Sequence, residues 1–352
     1  ESFLDKRSCC LVLAAGEGTR MRSEAPKVLC EVLFKPMISW VLDTVKNCGI
    51  KNTCVVTGYK SEVLKDYLSS QDNECEFAYQ EERKGTAHAV MTALNFLQRY
   101  INTDILILGG DSPFIDEKTV KESYKLHLEK GNSATIITAM VENPLGYGRI
   151  LRNQITEKVE AIIEEKDASL NQKKVKEVNS GMYWFKVRDL IDSLGDISEE
   201  NAQKEYYLTS IIKIFIEKNL KVSAYKSLSS DIVLGANDCS QLQTLNEIAR
   251  KNIIYNFLNK GVNIPCFDGV MIGKDVKIDP STTILPNTIL SGKTNIGKNC
   301  IVGPCCEIID CNISNGCEIR FSFCKKSSIS ENRIIGPFES ITNRCNAFSV
   351  SI

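Results

Sequence analysis

Two glycines and two basic residues lie close together near the start of the chain, within "LVLAAGEGTRMRSEAPK". Gly16 and Gly18 allow a sharp turn that brings backbone N–H groups toward an anion, and Arg20 and Lys27 add positive charge to the same loop. The loop lacks the G-K-[ST] ending of a Walker loop and the third glycine of a dinucleotide-binding fingerprint. These residues therefore predict a phosphate-binding loop of another kind.

Further polar residues follow apolar, strand-like runs in the same half of the chain. Asp111 ends "LILGGD", where a carboxylate can hold Mg²⁺ or can simply form a turn or cap a helix. Gln80 offers an amide that can pair with the edge of a base, and Gly85 and Thr86 begin the helical run that follows it. The stretches "NPLGYGRI", "IIEEKDA", "EVNSGMYWF" and "KEYYLTS" come later, and each alone is equally a turn, a solvated charge or a cap.

The elements that must position these residues alternate between two kinds. Short apolar runs such as "CCLVLAA", "TCVVTG" and "DILILGGD" alternate with amphipathic segments such as "TAHAVMTALNFLQRY", which predicts one helix. Strands that alternate with helices indicate βαβ units and a mostly parallel sheet. Such open sheets bind ligands beyond the carboxyl ends of their strands, which is where the glycine loop lies.

A long helix and a repeat follow this region. Residues 238–260 read as one helix of about 35 Å, with Asp238 suited to its start and Gly261 to its end. Beyond it, apolar residues recur every six positions, which is typical of a hexapeptide β-helix of about four coils. They are Ile272, Ile278, Ile284, Leu290, Ile296, Val302 and Ile308. The sequence thus predicts a Rossmann-like α/β domain over 1–237, a linker helix over 238–262 and a short left-handed parallel β-helix over 263–352.

Composition excludes several classes of function. The formal net charge of −1, from 43 basic and 44 acidic residues, argues against a nucleic-acid partner. No apolar run is long enough to span a membrane and the first residues show no signal-peptide pattern, so we expect a cytoplasmic protein. The fifteen cysteines form no C-x-x-C pair and have no histidine among them, which favours reduced thiols over a metal site or a disulfide framework.

In this order the motifs resemble the nucleoside-diphosphate-sugar pyrophosphorylases, a nucleotidyltransferase family whose signature is G-x-G-T-R-M followed by P-K. The similarity is strongest to the uridylyltransferase half of the bifunctional enzymes that make UDP-N-acetylglucosamine, from "LAAGEGTRM" through "GTAHA", "GYGRI", "EEKDA", "NSG" and "GAND". The resemblance covers about residues 8 to 345. It implies that UTP and N-acetylglucosamine 1-phosphate react to give UDP-N-acetylglucosamine and pyrophosphate with the help of Mg²⁺.

The resemblance also implies a role for each motif residue. Arg20 and Lys27 would be the catalytic residues, neutralising the triphosphate and the departing pyrophosphate, and Asp111 and Asn237 would bind both substrate and Mg²⁺. The residues expected to hold the nucleotide are Leu13, Ala14, Ala15, Gly16, Gly18, Gln80, Gly85, Thr86 and Gly110. The residues expected to hold the sugar are Gly148, Glu164, Asn179, Tyr207 and Thr209.

Three alternatives stay open at this point. The chain could transfer uridylyl or thymidylyl groups to another sugar 1-phosphate, be a fragment of a bifunctional enzyme that also acetylates glucosamine 1-phosphate, or bind a nucleotide sugar without turnover. Both histidines, His88 and His127, precede the repeat, so we expect no acetyl transfer, and His88 is expected to pack or support rather than to catalyse. β-Helices of this family commonly form trimers, which predicts a homotrimer.

Overall fold

The computed structural model describes residues 7–16, 18, 25–71 and 74–342. The chain forms two compact units, one made of Glu1–Cys30 and Pro36–Gln241 and the other of Glu31–Lys35 and Leu242–Ile352. None of the helices in the described ranges is long and apolar enough to cross a membrane.

The first unit is the predicted α/β fold around a mostly parallel sheet. The strands up to residue 226 are β1 (Ser8–Ala14), β2 (Glu31–Val32), β3 (Lys35–Pro36), β4 (Thr53–Thr57), β5 (Cys75–Tyr79), β6 (Asp104–Gly109), β7 (Ala134–Met140), β8 (Arg149–Arg152), β9 (Val159–Ile163), β10 (Glu177–Lys186) and β11 (Val222–Lys226). The strands β2 and β3 pair with each other outside this sheet, and their residues Glu31–Lys35 belong to the second unit. The others form one sheet in the order β11-β7-β10-β6-β1-β4-β5, with β8 joining β10 to β9.

Helices cover both faces of this sheet, since two separate buried clusters draw alternate residues from β1. The helices that precede residue 218 are α1 (Met37–Asn47), α2 (Ser61–Ser70), α3 (Thr86–Thr92), α4 (Leu94–Arg99), α5 (Glu117–Lys130), α6 (Val187–Leu194) and α7 (Ser210–Glu217). A further helix, α8 (Cys239–Asn259), follows them in the chain and lies mostly in the second unit. The prediction of one helix across 86–100 is wrong. The chain breaks at Ala93, whose N–H bonds to the carbonyl of Val90 three residues back, so the last turn of α3 tightens and a new helix begins.

Residues 271–342 of the second unit contain thirteen short strands that stack in parallel. They are β12 (Met271–Ile272), β13 (Lys277–Ile278), β14 (Thr283–Ile284), β15 (Ile289–Ser291), β16 (Asn295–Ile296), β17 (Ile301–Val302), β18 (Glu307–Ile309), β19 (Asn312–Ile313), β20 (Glu318–Ile319), β21 (Phe323–Lys325), β22 (Ser328–Ile329), β23 (Ile334–Ile335) and β24 (Ser340–Thr342). Every third strand belongs to the same sheet, so three sheets wrap one buried core. This arrangement is the left-handed β-helix that the six-residue repeat predicts.

The helix α8 has both of the expected terminal signals. Asp238 Oδ1 accepts a hydrogen bond from the N–H of Gln241 at 2.9 Å, and Gly261 follows the helix with a φ of +86°. Ile254 and Phe257 near its end are buried in the same core as the first coils. The helix therefore begins and ends where the sequence predicts, within one residue.

Candidate active site

The polar motifs gather at one edge of the large sheet. The strands β6, β1, β4 and β5 are parallel neighbours, so their carboxyl ends meet there and bring Asp111, the glycine loop and Gln80 together. A cavity of about 410 Å³ opens at this edge. It is lined by Leu13, Ala14, Ala15, Gly16, Lys27, Val28, Gln80, Arg83, Gly85, Thr86, Ala89, Gly109, Asp111, Ser112, Ser180, Gly181 and Glu205.

Gly18, in the described part of the glycine loop, packs directly against Lys27. Gly18 has a φ of +62°, and a Cβ built on it would lie 2.5 Å from Cβ of Lys27, so glycine is required on both counts. The N–H of Gly110 donates to the carbonyl of Leu13 at 2.9 Å, which ties the end of β6 to the end of β1. Arg20, the other predicted catalytic residue, lies outside the described residues.

Lys27 meets both predicted metal ligands. Its Nζ lies 2.5 Å from Oδ2 of Asp111 and donates to Oδ1 of Asn237 at 2.7 Å. Two oxygens from distant parts of the chain thus converge on a single positive charge. A carboxylate and an amide oxygen are the donors that Mg²⁺ prefers, so these residues fit the ion.

Two protein oxygens would be only part of the coordination shell of such an ion. In the described ranges, no group of three or more His, Cys, Asp or Glu side chains is arranged to hold a metal. Mg²⁺ usually keeps several waters and binds substrate phosphates beside one or two carboxylates. The arrangement is therefore suited to a metal that arrives with a phosphorylated substrate.

The turn that carries Asn237 owes its position to a glycine that the motif analysis did not single out. A Cβ on Gly235 would lie 2.9 Å from the backbone oxygen of Asp111, closer than real Cβ contacts. The glycine of "LGAND" is the available signal, because glycine allows one backbone segment to approach another closely. Gly235 therefore lets the turn carrying Asn237 approach Asp111.

A second cluster brings together three predicted sugar-binding residues. A Cβ built on Gly148 would lie 3.4 Å from Oε2 of Glu164 and 3.6 Å from Cβ of Asn179. Oδ1 of Asn179 accepts from the N–H of Gly181 and its Nδ2 donates to the hydroxyl of Tyr183, so its amide is held firmly. The strand β10 bulges between Asn179 and Met182, which turns Ser180 and Gly181 toward the cavity.

Glu164 and Thr209 belong to this cluster as well. Thr209 Oγ1 donates to Oε1 of Glu164 at 2.9 Å, and burial raises the pKa of the Glu164 carboxyl. Tyr207 is nearly buried, and its hydroxyl accepts a hydrogen bond from Nε2 of Gln203. The N–H of Leu208 donates to Oγ1 of Thr86, so the segment that carries Tyr207 and Thr209 is attached to the start of α3.

The motifs did not point to an ion pair between Arg149, which is buried, and Glu165, which is partly exposed. The side chain of Arg149 is only 1% exposed, and its Nη2 donates to Oε2 of Glu165 at 2.6 Å. Arg149 also donates to the carbonyl of Tyr147, while Oε2 of Glu165 accepts from the N–H of Gly146. The pairing with Arg149 holds the pKa of Glu165 below its usual range. The pair therefore fixes the turn that ends at Gly148. In the sequence, the only indication of the pair is that "GYGRI" and "EEKDA" contain charged residues.

Lys27, Asp111 and Asn237 converge at the edge of the sheet where the parallel strands end, which is where open sheets of this kind bind their ligands. Residues 9–232 match the family model described as nucleotidyl transferase. The chain belongs to this nucleotidyl transferase family.

The chain is 41% identical over 331 residues to the "Bifunctional protein GlmU" of Thermoanaerobacter pseudethanolicus, covering 94% of this chain and 71% of that protein. It is 38% identical over 330 residues to the protein of the same name from Clostridioides difficile, covering 93% of this chain and 70% of that protein. The predicted resemblance is thereby confirmed, and the chain is a GlmU-like nucleotidyltransferase.

Proposed function

We propose that this chain transfers the uridylyl group of UTP to N-acetyl-α-D-glucosamine 1-phosphate, giving UDP-N-acetylglucosamine and pyrophosphate. The observation that carries the proposal is the approach of two clusters at one sheet edge. The cavity lined by the glycine loop, Lys27 and Gln80 suits a nucleoside triphosphate, and the cluster of Gly148, Glu164 and Asn179 suits a sugar. Ser180 and Gly181 of the cavity wall directly follow Asn179 in the chain.

The reaction needs alignment and charge neutralisation rather than a covalent intermediate. A phosphate oxygen of the sugar phosphate forms a bond to the α-phosphorus of UTP, while the bond from that phosphorus to the bridging oxygen breaks and its electron pair leaves with pyrophosphate. Lys27 would neutralise charge on the leaving group. The sequence motif assigns the same role to Arg20. When bound by Asp111 and Asn237, Mg²⁺ would supply further positive charge to the phosphate oxygens.

The sugar would be recognised by hydrogen bonds that the second cluster can make. The carboxylate of Glu164 can accept from sugar hydroxyl groups, and the amide of Asn179, already oriented by its two neighbours, can pair with a hydroxyl or the N-acetyl group. Once a bound sugar covers them, polar groups of this kind reject an analogue that leaves them unpaired.

The proposal also includes a nucleotidyltransferase domain over 1–237, a linker helix over 238–262 and a β-helix over 263–352. It further includes a homotrimer that forms through the β-helix. Acetyl transfer is not part of the proposal. Residues 263–352 contain no histidine and so offer no imidazole base to take a proton from an amine.

Pyrophosphate release across a panel of substrates tests the proposal. UTP, TTP, CTP and ATP are each combined with N-acetylglucosamine 1-phosphate, glucosamine 1-phosphate and glucose 1-phosphate. We expect the highest kcat/KM for UTP with N-acetylglucosamine 1-phosphate, by about 10-fold or more over each other pair. A preference for TTP or glucose 1-phosphate would favour the alternative sugar-nucleotide reaction. Binding of UDP-N-acetylglucosamine by calorimetry without any pyrophosphate release would identify a binding protein instead.

Arg149→Met should affect the sugar substrate selectively. The change removes the donors that hold the turn before Gly148 but leaves the nucleotide cavity untouched, so the KM for N-acetylglucosamine 1-phosphate should rise by about 10-fold with little change for UTP. Glu165→Gln keeps an acceptor for the N–H of Gly146 and should have a smaller effect. Thermal melting of both variants checks that they fold. Equal rises in both KM values would contradict a role in positioning the sugar.

A further inference from the structure

The amide of Gln80 has its orientation fixed by two neighbours. Gln80 follows β5, is only 5% exposed and lines the nucleotide cavity. Its Nε2 donates to the carbonyl of Gly85 at 3.2 Å and lies 3.0 Å from Nδ1 of His88. Because a carbonyl can only accept, the contact with Gly85 identifies which atom of the amide is the nitrogen.

This assignment determines the state of His88. An amide nitrogen donates and does not accept, so Nδ1 of His88 must accept the second proton of Nε2. An imidazole that accepts at Nδ1 is neutral and carries its proton on Nε2. Both protons of the Gln80 amide are then used, and Oε1 is the atom of the amide left to meet a ligand in the cavity.

The fixed orientation of the Gln80 amide favours bases that carry a proton on N3. Uracil and thymine carry a donor at N3, whereas cytosine carries a lone pair there. A fixed Oε1 accepts from the N3–H of uracil and repels the N3 lone pair of cytosine. A reversed amide would offer a donor to cytosine, but it would also turn Oε1 toward the carbonyl of Gly85, acceptor against acceptor.

We propose that His88 is a positioning residue that selects bases with an N3–H by holding the Gln80 amide in one orientation. The proposal rests on the proposed function, in which Gln80 meets the base. It gives His88 a task without any acid or base step. His88 is the third residue of α3 and is half-buried, so its ring can be replaced without opening the main core.

Two substitutions of opposite polarity test the role. His88→Asp offers only acceptors to Gln80, whereas His88→Lys offers only donors, which oppose the donating Nε2 and leave the Gly85 carbonyl alone to hold the amide in its orientation. The measured quantity is the ratio of kcat/KM for UTP to that for CTP, since a general loss of packing or a change of local charge affects both nucleotides alike. We expect His88→Asp to keep the wild-type ratio and His88→Lys to lower it by about 10-fold or more. An unchanged ratio in a folded His88→Lys variant would overturn the proposal.

Gln80→Ala separates this proposal from the one on which it rests. If Gln80 meets the base, the variant should lose most of the preference for UTP over CTP. A lost preference in Gln80→Ala together with an unchanged ratio in His88→Lys would refute only the role of His88. An unchanged ratio in Gln80→Ala would refute the contact between Gln80 and the base, and the role of His88 with it.

The tautomer can also be measured directly. The chain has only two histidines, so ¹⁵N spectra of the imidazoles in the whole protein contain two ring systems, and His88→Asp identifies which belongs to His88. We expect an unprotonated Nδ1 and a protonated Nε2 in His88 without nucleotide. A proton on Nδ1 would overturn the proposal, whatever the kinetics.

Discussion

Replacing Lys27 by methionine or alanine is expected to lower kcat for pyrophosphate release by roughly 10²-fold or more. Charge grows on the leaving pyrophosphate as its bond to the α-phosphorus breaks, and a positioned ammonium stabilises that charge in a confined site. The ammonium lies in the cavity wall between Asp111 and Asn237, with only 12% of its side chain exposed. The measurement is the initial rate at saturating UTP and sugar phosphate.

The two Lys27 variants separate charge from packing. Gly18 rests on the Lys27 side chain, so alanine removes packing as well as charge, while methionine keeps most of the stem. Lys35, which forms an ion pair with Asp275 in the second unit, offers a matched control, and Lys35→Ala should keep near-normal turnover. A folded Lys27→Met variant with near-normal kcat would contradict the catalytic assignment.

Much of the fold can be predicted because its signals come from residues that are close together in the chain. The alternation of apolar runs and amphipathic segments is enough to give the α/β class, and a spacing of six residues with small corners gives the β-helix. Asp238 and Gly261 act within one turn of α8, so its ends are predictable as well. The break at Ala93 was missed because alanine itself is a good helix former.

The sheet order could not be read from the sequence. The strand β10 runs antiparallel between β6 and β7, although it comes after both in the chain. Such pairing depends on contacts between residues about 40 to 80 positions apart, which leave no local signal. The cluster of Gly148, Glu164 and Asn179 depends on this strand and its bulge, so only the similarity to known motifs predicts it.

Supporting residues are harder still to predict. Arg149 would be expected at the surface, because arginine is seldom fully buried. In the structure its side chain is buried and pairs with Glu165. The pairing of Gln80 with His88 joins the end of a strand to the first turn of a helix, at a spacing that no regular element produces. Gly235 is visible in the sequence only as one more glycine. Each of these residues acts through a neighbour, which a motif does not record.

Asp111→Asn and Asn237→Ala should both raise the Mg²⁺ concentration needed for half-maximal activity, by about 10-fold or more for Asp111→Asn. The first change removes the negative charge from one of the two oxygens that converge on Lys27, and the second removes the other oxygen altogether. Asp111→Asn should have the larger effect, because a carboxylate attracts a divalent cation more strongly than an amide does. Activity is measured against Mg²⁺ concentration, and calorimetric titration of Mg²⁺ in the presence of UTP reports binding without turnover.

Because Asp111 and Asn237 both contact Lys27, a control variant is needed to separate a loss of metal binding from the loss of an ion pair. Asp275 forms an ion pair with Lys35 as Asp111 does with Lys27, so Asp275→Asn is a control of the same chemistry, and its Mg²⁺ requirement should match the parent. Loss of the Asp111 charge also releases Lys27, so kcat should stay below the parent value even when Mg²⁺ is saturating. Parent activity that survives EDTA, or variants whose Mg²⁺ dependence equals that of the parent, would contradict the metal assignment and leave Asp111 and Asn237 as residues that only hold Lys27 in place.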